Sequence, residues 1–183
     1  MQFELSHIVQ KCLHQDRVAQ KTLFESYKGI LFAICRRYIK DENEAEDVFI
    51  EGFYKILNKI DQYNNDGSFE GWMKRIMVNE SLMHLRSKKM LMVELEIQNI
   101  SSHEDSNIED QMDAELILTA LEQLPLGYRT IFNLYVIEGY KHREIAEELN
   151  ISIHTSKSQL ILAKKRLQEL LKKNLNLNTS YGT

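Results

Sequence analysis

The carboxy-terminal part of the chain contains the segment LPLGYRTIFNLYVIEGYKHREIAEELNISIHTSKSQLILAKKRL, which spans residues 124–167. Its apolar residues recur at steps of three and four on both sides of the break Asn150-Ile151-Ser152, as they do on amphipathic helices. We expect a helix from about 126 to 138, a left-handed cap at Gly139, a short helix over 142–149 and a long helix that Ser152 caps. Two helices joined by such a short turn predict a helix-turn-helix unit.

The long helix of this unit is expected to have one buried face and one polar face. Its buried stripe is predicted to contain Ser156, Leu160, Ala163, Leu167 and Leu170. The polar side chains on the other face are of the types that contact base edges and phosphates when a helix enters the major groove. This pattern favours DNA binding over its alternative, a helical hairpin with a solvated basic face. The candidate DNA contacts are His154, Thr155, Lys157, Ser158, Gln159 and Lys164.

Amphipathic helices are also predicted throughout the first half of the chain. Asp41, followed by Glu44, resembles a capping box at the start of one helix, and Ser68 is expected to cap another. The polar segment 61–67 predicts a turn between these two helices. The residues predicted to face inward on three successive helices are Leu23, Tyr27, Ile30, Ile34 and Tyr38; Ala45, Phe49, Phe53, Ile56 and Ile60; and Phe69, Trp72, Ile76 and Met83.

The composition changes between the two helical halves. Residues 94–115 contain eight acidic residues and no lysine or arginine, although the whole chain has a formal net charge of only -4. An acidic connection therefore separates two more basic halves. We predict an all-α chain of two small helical domains, residues 1–89 and 112–183, joined by a flexible linker over residues 90–111.

Several functional classes lack support in the sequence. Cys12 and Cys35 are far apart, outside any metal-ligand spacing, and are expected to be buried reduced thiols. We find no glycine-rich phosphate loop, no nucleophile elbow and no metal-ligand cluster, so no enzyme activity, cofactor or metal is predicted. No apolar run approaches the ~20 residues of a membrane span, and the first residues lack the composition of a signal peptide. A cytoplasmic protein without direct membrane insertion is expected.

The helix-turn-helix segment resembles region 4 of RNA polymerase sigma factors. LuxR-type response regulators share much of the same pattern, so this segment alone leaves both families open. The resemblance lies in Leu124-Pro125, Arg129, Gly139, the helix with Glu144-Ile145-Ala146, and the threonine-x-lysine-serine pattern that starts at Thr155.

The first half of the chain distinguishes the two families. It resembles sigma region 2 in the triplet Ala45-Glu46-Asp47 with Phe49 and Phe53, in the run WMKRIMVN at 72–79, and in Leu85-Arg86. A LuxR-type regulator would instead have alternating strands and helices there. Regions 2 and 4 in this order, without the region 3 domain of larger sigma factors, resemble the extracytoplasmic-function (ECF) subfamily.

The resemblance implies a transcription initiation factor whose partners are core RNA polymerase, promoter DNA and an anti-sigma factor. Region 2 would dock on the clamp helices of the polymerase beta-prime subunit through Asp47, Ile50 and Glu51. Region 4 would bind the minus-35 promoter element and the flap of the beta subunit. The loop and helix of region 2 would capture the separated minus-10 element through Tyr63, Asn64, Asn65, Lys74, Arg75, Asn79, Arg86 and Lys88.

Other functions remain open at this point. A stand-alone helix-turn-helix regulator of LuxR-like type would bind a duplex operator without polymerase. A helical adaptor without a nucleic-acid role would show only weak, salt-dependent DNA binding. On the first-half helix, Asp47 and Glu51 could equally belong to a solvated face.

Overall fold

The computed structural model describes residues 2–64, 66–88 and 114–180. All regular structure in these ranges is helical, which confirms the predicted all-α class. The chain divides into two compact units, Met1–Ser87 and Lys88–Thr183. The predicted linker, residues 90–111, lies outside the described residues.

The amino-terminal unit contains four α-helices. They are α1 (Gln2–Leu13), α2 (Arg17–Tyr38), α3 (Glu42–Asn58) and α4 (Phe69–Ser87), with a short 3-10 turn, Ile60–Gln62, after α3. Three of them start where a side chain accepts a hydrogen bond from the first helical turn. Asp16 accepts from Val18 N at 2.8 Å, Asp41 accepts from Glu44 N at 3.0 Å, and Ser68 accepts from Gly71 N at 3.0 Å.

The core of this unit lies where α2, α3 and α4 pack together. The predicted stripe of α3 is confirmed, because all five of its residues are buried. Helices α3 and α4 approach closely at Gly52, where an added Cβ atom would lie 2.7 Å from the Met77 sulfur. Both cysteines are free and buried, as predicted, and Cys35 Sγ lies 3.9 Å from that same sulfur.

Two predicted inward residues are exposed. Ile30 on α2 faces solvent, because the buried positions next to it are Leu31 and Ile34. Met83 on α4 is 54% exposed, since the buried stripe of that helix runs through Met73 and Met77. On α2 the predicted residues Leu23, Ile34 and Tyr38 are buried, whereas on α4 the buried stripe is shifted by about one residue from the predicted Trp72 and Ile76.

In its described part, residues 114–180, the carboxy-terminal unit has four further α-helices and a π-helical segment. The elements are α5 (Ala114–Gln123), α6 (Leu126–Phe132), the π-helical segment (Asn133–Ile137), α7 (His142–Leu149) and α8 (Ile153–Ser180). The helix predicted over 126–138 therefore changes character after Phe132, where Glu138 N donates to Asn133 O at 2.9 Å.

The turn signals of this unit are confirmed. Gly139 has a φ of 75° and Asn150 has a φ of 52°, so both adopt the left-handed conformation that ends a helix. Ser152 caps α8 by accepting from Thr155 N at 2.9 Å. Helices α7 and α8 thus form the predicted helix-turn-helix, and Ile145 and Leu149 of α7 are buried.

Candidate functional site

One face of α3 combines exposed apolar and acidic side chains. Ile50 is 57% exposed and Tyr54, which the sequence analysis did not select, is 68% exposed. Asp47 and Glu51 are exposed on the same helix, and neither forms an ion pair with any residue that the structure describes. Residues at i, i+3, i+4 and i+7 share one side of a helix. We call this set, Asp47, Ile50, Glu51 and Tyr54, the α3 face.

The opposite side of α3 holds the α3 face in place. Phe49 and Phe53 are buried and pack with Phe24 of α2 at ring-centroid distances of 5.6 and 5.1 Å. Lys55 forms an ion pair with Glu80, a nearly buried carboxylate of α4. Lys55 therefore neutralises an interior charge.

The loop after α3 is folded around an aromatic cluster. The Tyr63 ring lies 5.1 Å from Phe69 and 5.7 Å from Trp72, and the Phe69 and Trp72 rings stack at 5.5 Å. Tyr63 also donates from its hydroxyl to Gly67 O at 2.7 Å. Tyr63 is half-buried, so much of the ring of this candidate minus-10 contact packs within the protein.

The polar side chains of this loop are partly paired with each other. Asn64 donates from its amide to Asp66 at 2.7 Å and remains exposed. The other candidate of the loop, Asn65, lies outside the described residues.

Helix α4 places several predicted DNA contacts on one side. Arg75, Asn79 and Arg86 are spaced by four and seven residues, which puts them on the same helix face. Arg75 and Asn79 are exposed, and Arg86 is half-buried. We call these three residues the α4 face. Two further candidates lie near it in sequence: Lys74 is half-buried and pairs with Glu70 at 2.6 Å, and Lys88 is exposed.

The start of α8 presents most of the predicted minus-35 contacts. His154 and Lys157 are exposed, while Thr155, Ser158 and Lys164 are half-buried. The hydroxyls are already engaged locally, since Thr155 Oγ1 lies 2.8 Å from Ser152 Oγ and Ser158 donates to Thr155 O at 3.1 Å. We call these five residues, His154, Thr155, Lys157, Ser158 and Lys164, the recognition-helix face.

Gln159 does not belong to that face. Its side chain is 0% exposed, and neither amide atom has a hydrogen-bond partner among the residues that the structure describes. Position 159 follows Ser156 by three residues and precedes Ala163 by four, so helix geometry places it within the buried stripe. The prediction of an exposed side chain was wrong, because residue polarity was given more weight than helical position. Leu170 is likewise only half-buried, and Leu171 takes its place in the core.

The π-helical segment exposes three apolar side chains in succession, Tyr135, Val136 and Ile137. The sequence pattern did not indicate this surface, and π-helical segments frequently occur at functional sites. Among the described residues, no group of three metal-ligating side chains is arranged to bind an ion. None of the described helices has the length and apolar composition needed to cross a membrane.

Comparison with known protein families matches both halves of the chain. The family model "Sigma-70 region 2" matches residues 23–90, and "Sigma-70, region 4" matches residues 114–167. The chain is 25% identical over 178 residues to the RNA polymerase sigma-H factor of Pseudomonas aeruginosa, covering 90% of this chain and 92% of that one. It is 27% identical over 158 residues to the RNA polymerase sigma factor SigV of Bacillus subtilis, covering 85% and 93%.

Solved structures share the fold. A structure of the sigma factor RpoE with the anti-sigma factor NepR from Bartonella quintana matches with a TM-score of 0.52 and 23% identity, over 83% of this chain and 96% of that one. A structure of CnrH in complex with the cytosolic domain of CnrY matches with a TM-score of 0.51 and 20% identity, over 91% and 96%.

Proposed function

Since this chain belongs to the sigma-70 family of RNA polymerase sigma factors, in the ECF subfamily, and directs promoter recognition and transcription initiation, we propose which of its surfaces carry each contact. As a sigma factor it binds core RNA polymerase and promoter DNA. The alternative of a LuxR-type regulator is not favoured, because the region 2 model matches residues 23–90, which such a regulator would not contain. The main observation in support of this function is that the chain contains sigma regions 2 and 4 in the order in which sigma factors have them.

The α3 face is the proposed docking site for the clamp helices of the beta-prime subunit. Exposed Ile50 and Tyr54 supply apolar contact area at the centre, and the exposed carboxylates of Asp47 and Glu51 supply charge at the edge. An apolar centre with a charged rim is the usual arrangement of a protein interface. The partner surface is therefore expected to be apolar and basic.

The α4 face is the proposed contact with the separated minus-10 element. Arg75 and Arg86 offer charge to the DNA backbone, and Asn79 offers an amide that can bond an unpaired base edge. Lys74, Lys88 and Asn64 extend this polar surface, and Asn65 is a proposed contact on the basis of the sequence alone. Tyr63 contributes mainly by fixing the loop through its aromatic neighbours, with the exposed part of its ring open to a base.

The recognition-helix face is the proposed minus-35 contact. Lys157 and His154 are its most accessible side chains, and both can bond a base edge or a phosphate. The exposed apolar residues Tyr135, Val136 and Ile137 are proposed to contact the flap of the beta subunit, since a protein partner would cover them.

We further propose that an anti-sigma factor restrains this protein, that it acts in the cytoplasm and that it catalyses no reaction itself. Two solved structures of similar fold are complexes, and one of them is named as a sigma factor bound to an anti-sigma factor. Such a partner would cover the exposed apolar residues of the α3 face and of the π-helical segment, which are the proposed polymerase contacts.

Run-off transcription tests the proposed function. Core RNA polymerase is incubated with promoter fragments from the same genome, with and without this protein. Transcripts that start at discrete sites only when the protein is present are the expected result. A folded protein that fails to bind core polymerase and instead binds duplex operator alone would favour a stand-alone regulator.

A further inference from the structure

His142 lies at the start of α7 and contacts two other helical elements. Its ring stacks on Tyr135 of the π-helical segment, with the centroids 4.4 Å apart and the planes at 23°. Its Nδ1 atom lies 2.9 Å from the hydroxyl of Ser156, a fully buried residue of α8. The imidazole is therefore held in a fixed position against the proposed DNA-binding helix.

Two lysines of the recognition-helix face act on this imidazole. Lys157 and Lys164 are seven residues apart, so they lie on the same side of α8, separated by about 10 Å along its axis. Burial is the largest cause of the lowered pKa of His142, and the charges of Lys157 and Lys164 lower that pKa further. His142, Lys157 and Lys164 thus form a cluster in which a third positive charge is unfavourable.

The other charged groups near His142 in the sequence lie at the start of α7, on α7 itself and directly after the π-helical segment. On α7, Arg143 pairs with the Glu147 carboxylate at 3.1 Å, and Glu144 accepts from Lys141 N at 2.7 Å. Glu138 follows directly after the π-helical segment and is half-buried. The two lysines of α8 are the charges that act on the pKa of the imidazole.

We propose that His142, Lys157 and Lys164 together bind one phosphate of the DNA backbone, and that His142 takes up a proton when the phosphate is bound. This inference rests on the proposed minus-35 role of α8. A phosphodiester near the two lysines offsets their charge, and a nearby anion favours the imidazolium over the neutral ring. The protonated ring then adds a charge-assisted contact to the backbone.

Proton uptake makes promoter binding depend on pH in a defined direction. The pKa of His142 lies below its usual value of 6.5 in the free protein, and a bound phosphate would raise it. Binding is therefore tightest below the free-state pKa, and the gain is lost as the pH rises through the bound-state pKa. A difference of about one pKa unit between the two states corresponds to roughly tenfold in affinity.

The test compares holoenzymes made with the unmodified protein, with His142→Gln and with His154→Gln. Each is titrated with a fluorescent promoter duplex at about pH 7.5 and about pH 6.0, at constant ionic strength. Glutamine can still bond Ser156 but cannot become charged. We expect affinity to increase about three- to tenfold at the lower pH for the unmodified protein, and less than about twofold for His142→Gln.

His154→Gln controls for the other histidine of this surface and should keep the pH effect. A pH effect that persists in His142→Gln, or that is lost only in His154→Gln, would overturn the proposal. Calorimetry in two buffers of different ionisation enthalpy supplies a second measurement, because the unmodified holoenzyme should take up protons on binding and His142→Gln should take up fewer.

Selectivity for a matched over a scrambled minus-35 sequence is measured at the higher pH in the same experiment. If the unmodified protein shows no selectivity, the proposed role of α8 fails. Selectivity without a pH effect would refute only the role of His142. Thermal unfolding and core binding of each variant establish that it is folded.

Discussion

Replacement of Gln159 by methionine should stabilise the carboxy-terminal unit. Methionine is similar in size and shape to glutamine but has no amide. In the native protein both amide atoms of Gln159 are buried without a partner among the described residues. A buried polar group without a hydrogen bond costs about 1–3 kcal/mol, and an apolar replacement of the same shape removes that cost. We therefore expect the free energy of unfolding of this unit to rise by about 1–3 kcal/mol.

The assay must distinguish the two units. The chain has a single tryptophan, Trp72, in the amino-terminal unit, so its fluorescence reports the unfolding of that unit alone. Hydrogen exchange of the buried α8 amides, for example those of Leu160 and Ala163, reports the unit that Gln159→Met changes. Exchange should slow in the variant, while the denaturation curve of Trp72 should stay the same.

A matched variant, Gln159→Glu, should act in the opposite direction, because it buries a charge at the same place. Gln159→Met should also keep minus-35 selectivity within about twofold, since a core side chain makes no base contact. A strong loss of selectivity in a stably folded Gln159→Met variant would refute this reasoning. It would mean that Gln159 leaves the core to contact DNA.

Three further predictions follow from the same structure. Ile50→Lys should abolish binding to core polymerase in a pull-down assay, because a charge replaces an apolar contact on the α3 face. Val18→Lys, at a residue 76% exposed on α2, should leave this binding unchanged. Equal loss of binding in both variants would contradict the docking surface. Lys157→Ala should still bind core but weaken binding to matched and scrambled minus-35 sequences about equally, because a phosphate contact carries no sequence information, and a loss confined to the matched sequence would count against this role. Gly52→Ala should destabilise the amino-terminal unit by about 1–3 kcal/mol in a Trp72 denaturation curve, because the added Cβ atom would lie too close to the Met77 sulfur. Gly29→Ala, where an added Cβ atom meets nothing within 4 Å, should stabilise the same unit by about 0.5–1 kcal/mol.

Helix ends were predictable from the sequence because their signals are local. Asp41, Ser68 and Ser152 each cap a helix through a hydrogen bond to a residue three positions away. Gly139 and Asn150 adopt positive φ angles where the chain must leave a helix. These interactions involve only a few neighbouring residues, so the local sequence is sufficient to predict them.

The side-chain contacts were less predictable because they depend on residues distant in sequence. Tyr63 was predicted to contact the minus-10 element, but Phe69 and Trp72 of the next helix cover part of its ring. Gln159 was judged by its polarity, although packing places it in the core. The π-helical segment was predicted as part of an ordinary helix over 126–138, because its apolar residues are also typical of an α-helix.

The burial of both thiols has a practical consequence for labelling. Burial raises the pKa of Cys35 to about 11, and burial together with the Asp16 carboxylate raises the pKa of Cys12. Both groups therefore remain protonated and poorly reactive near neutral pH. A cysteine introduced at an exposed site such as Val18 would react with a maleimide dye well before either native thiol. Dye conjugates for fluorescence studies of promoter opening can thus be made without first removing the native cysteines.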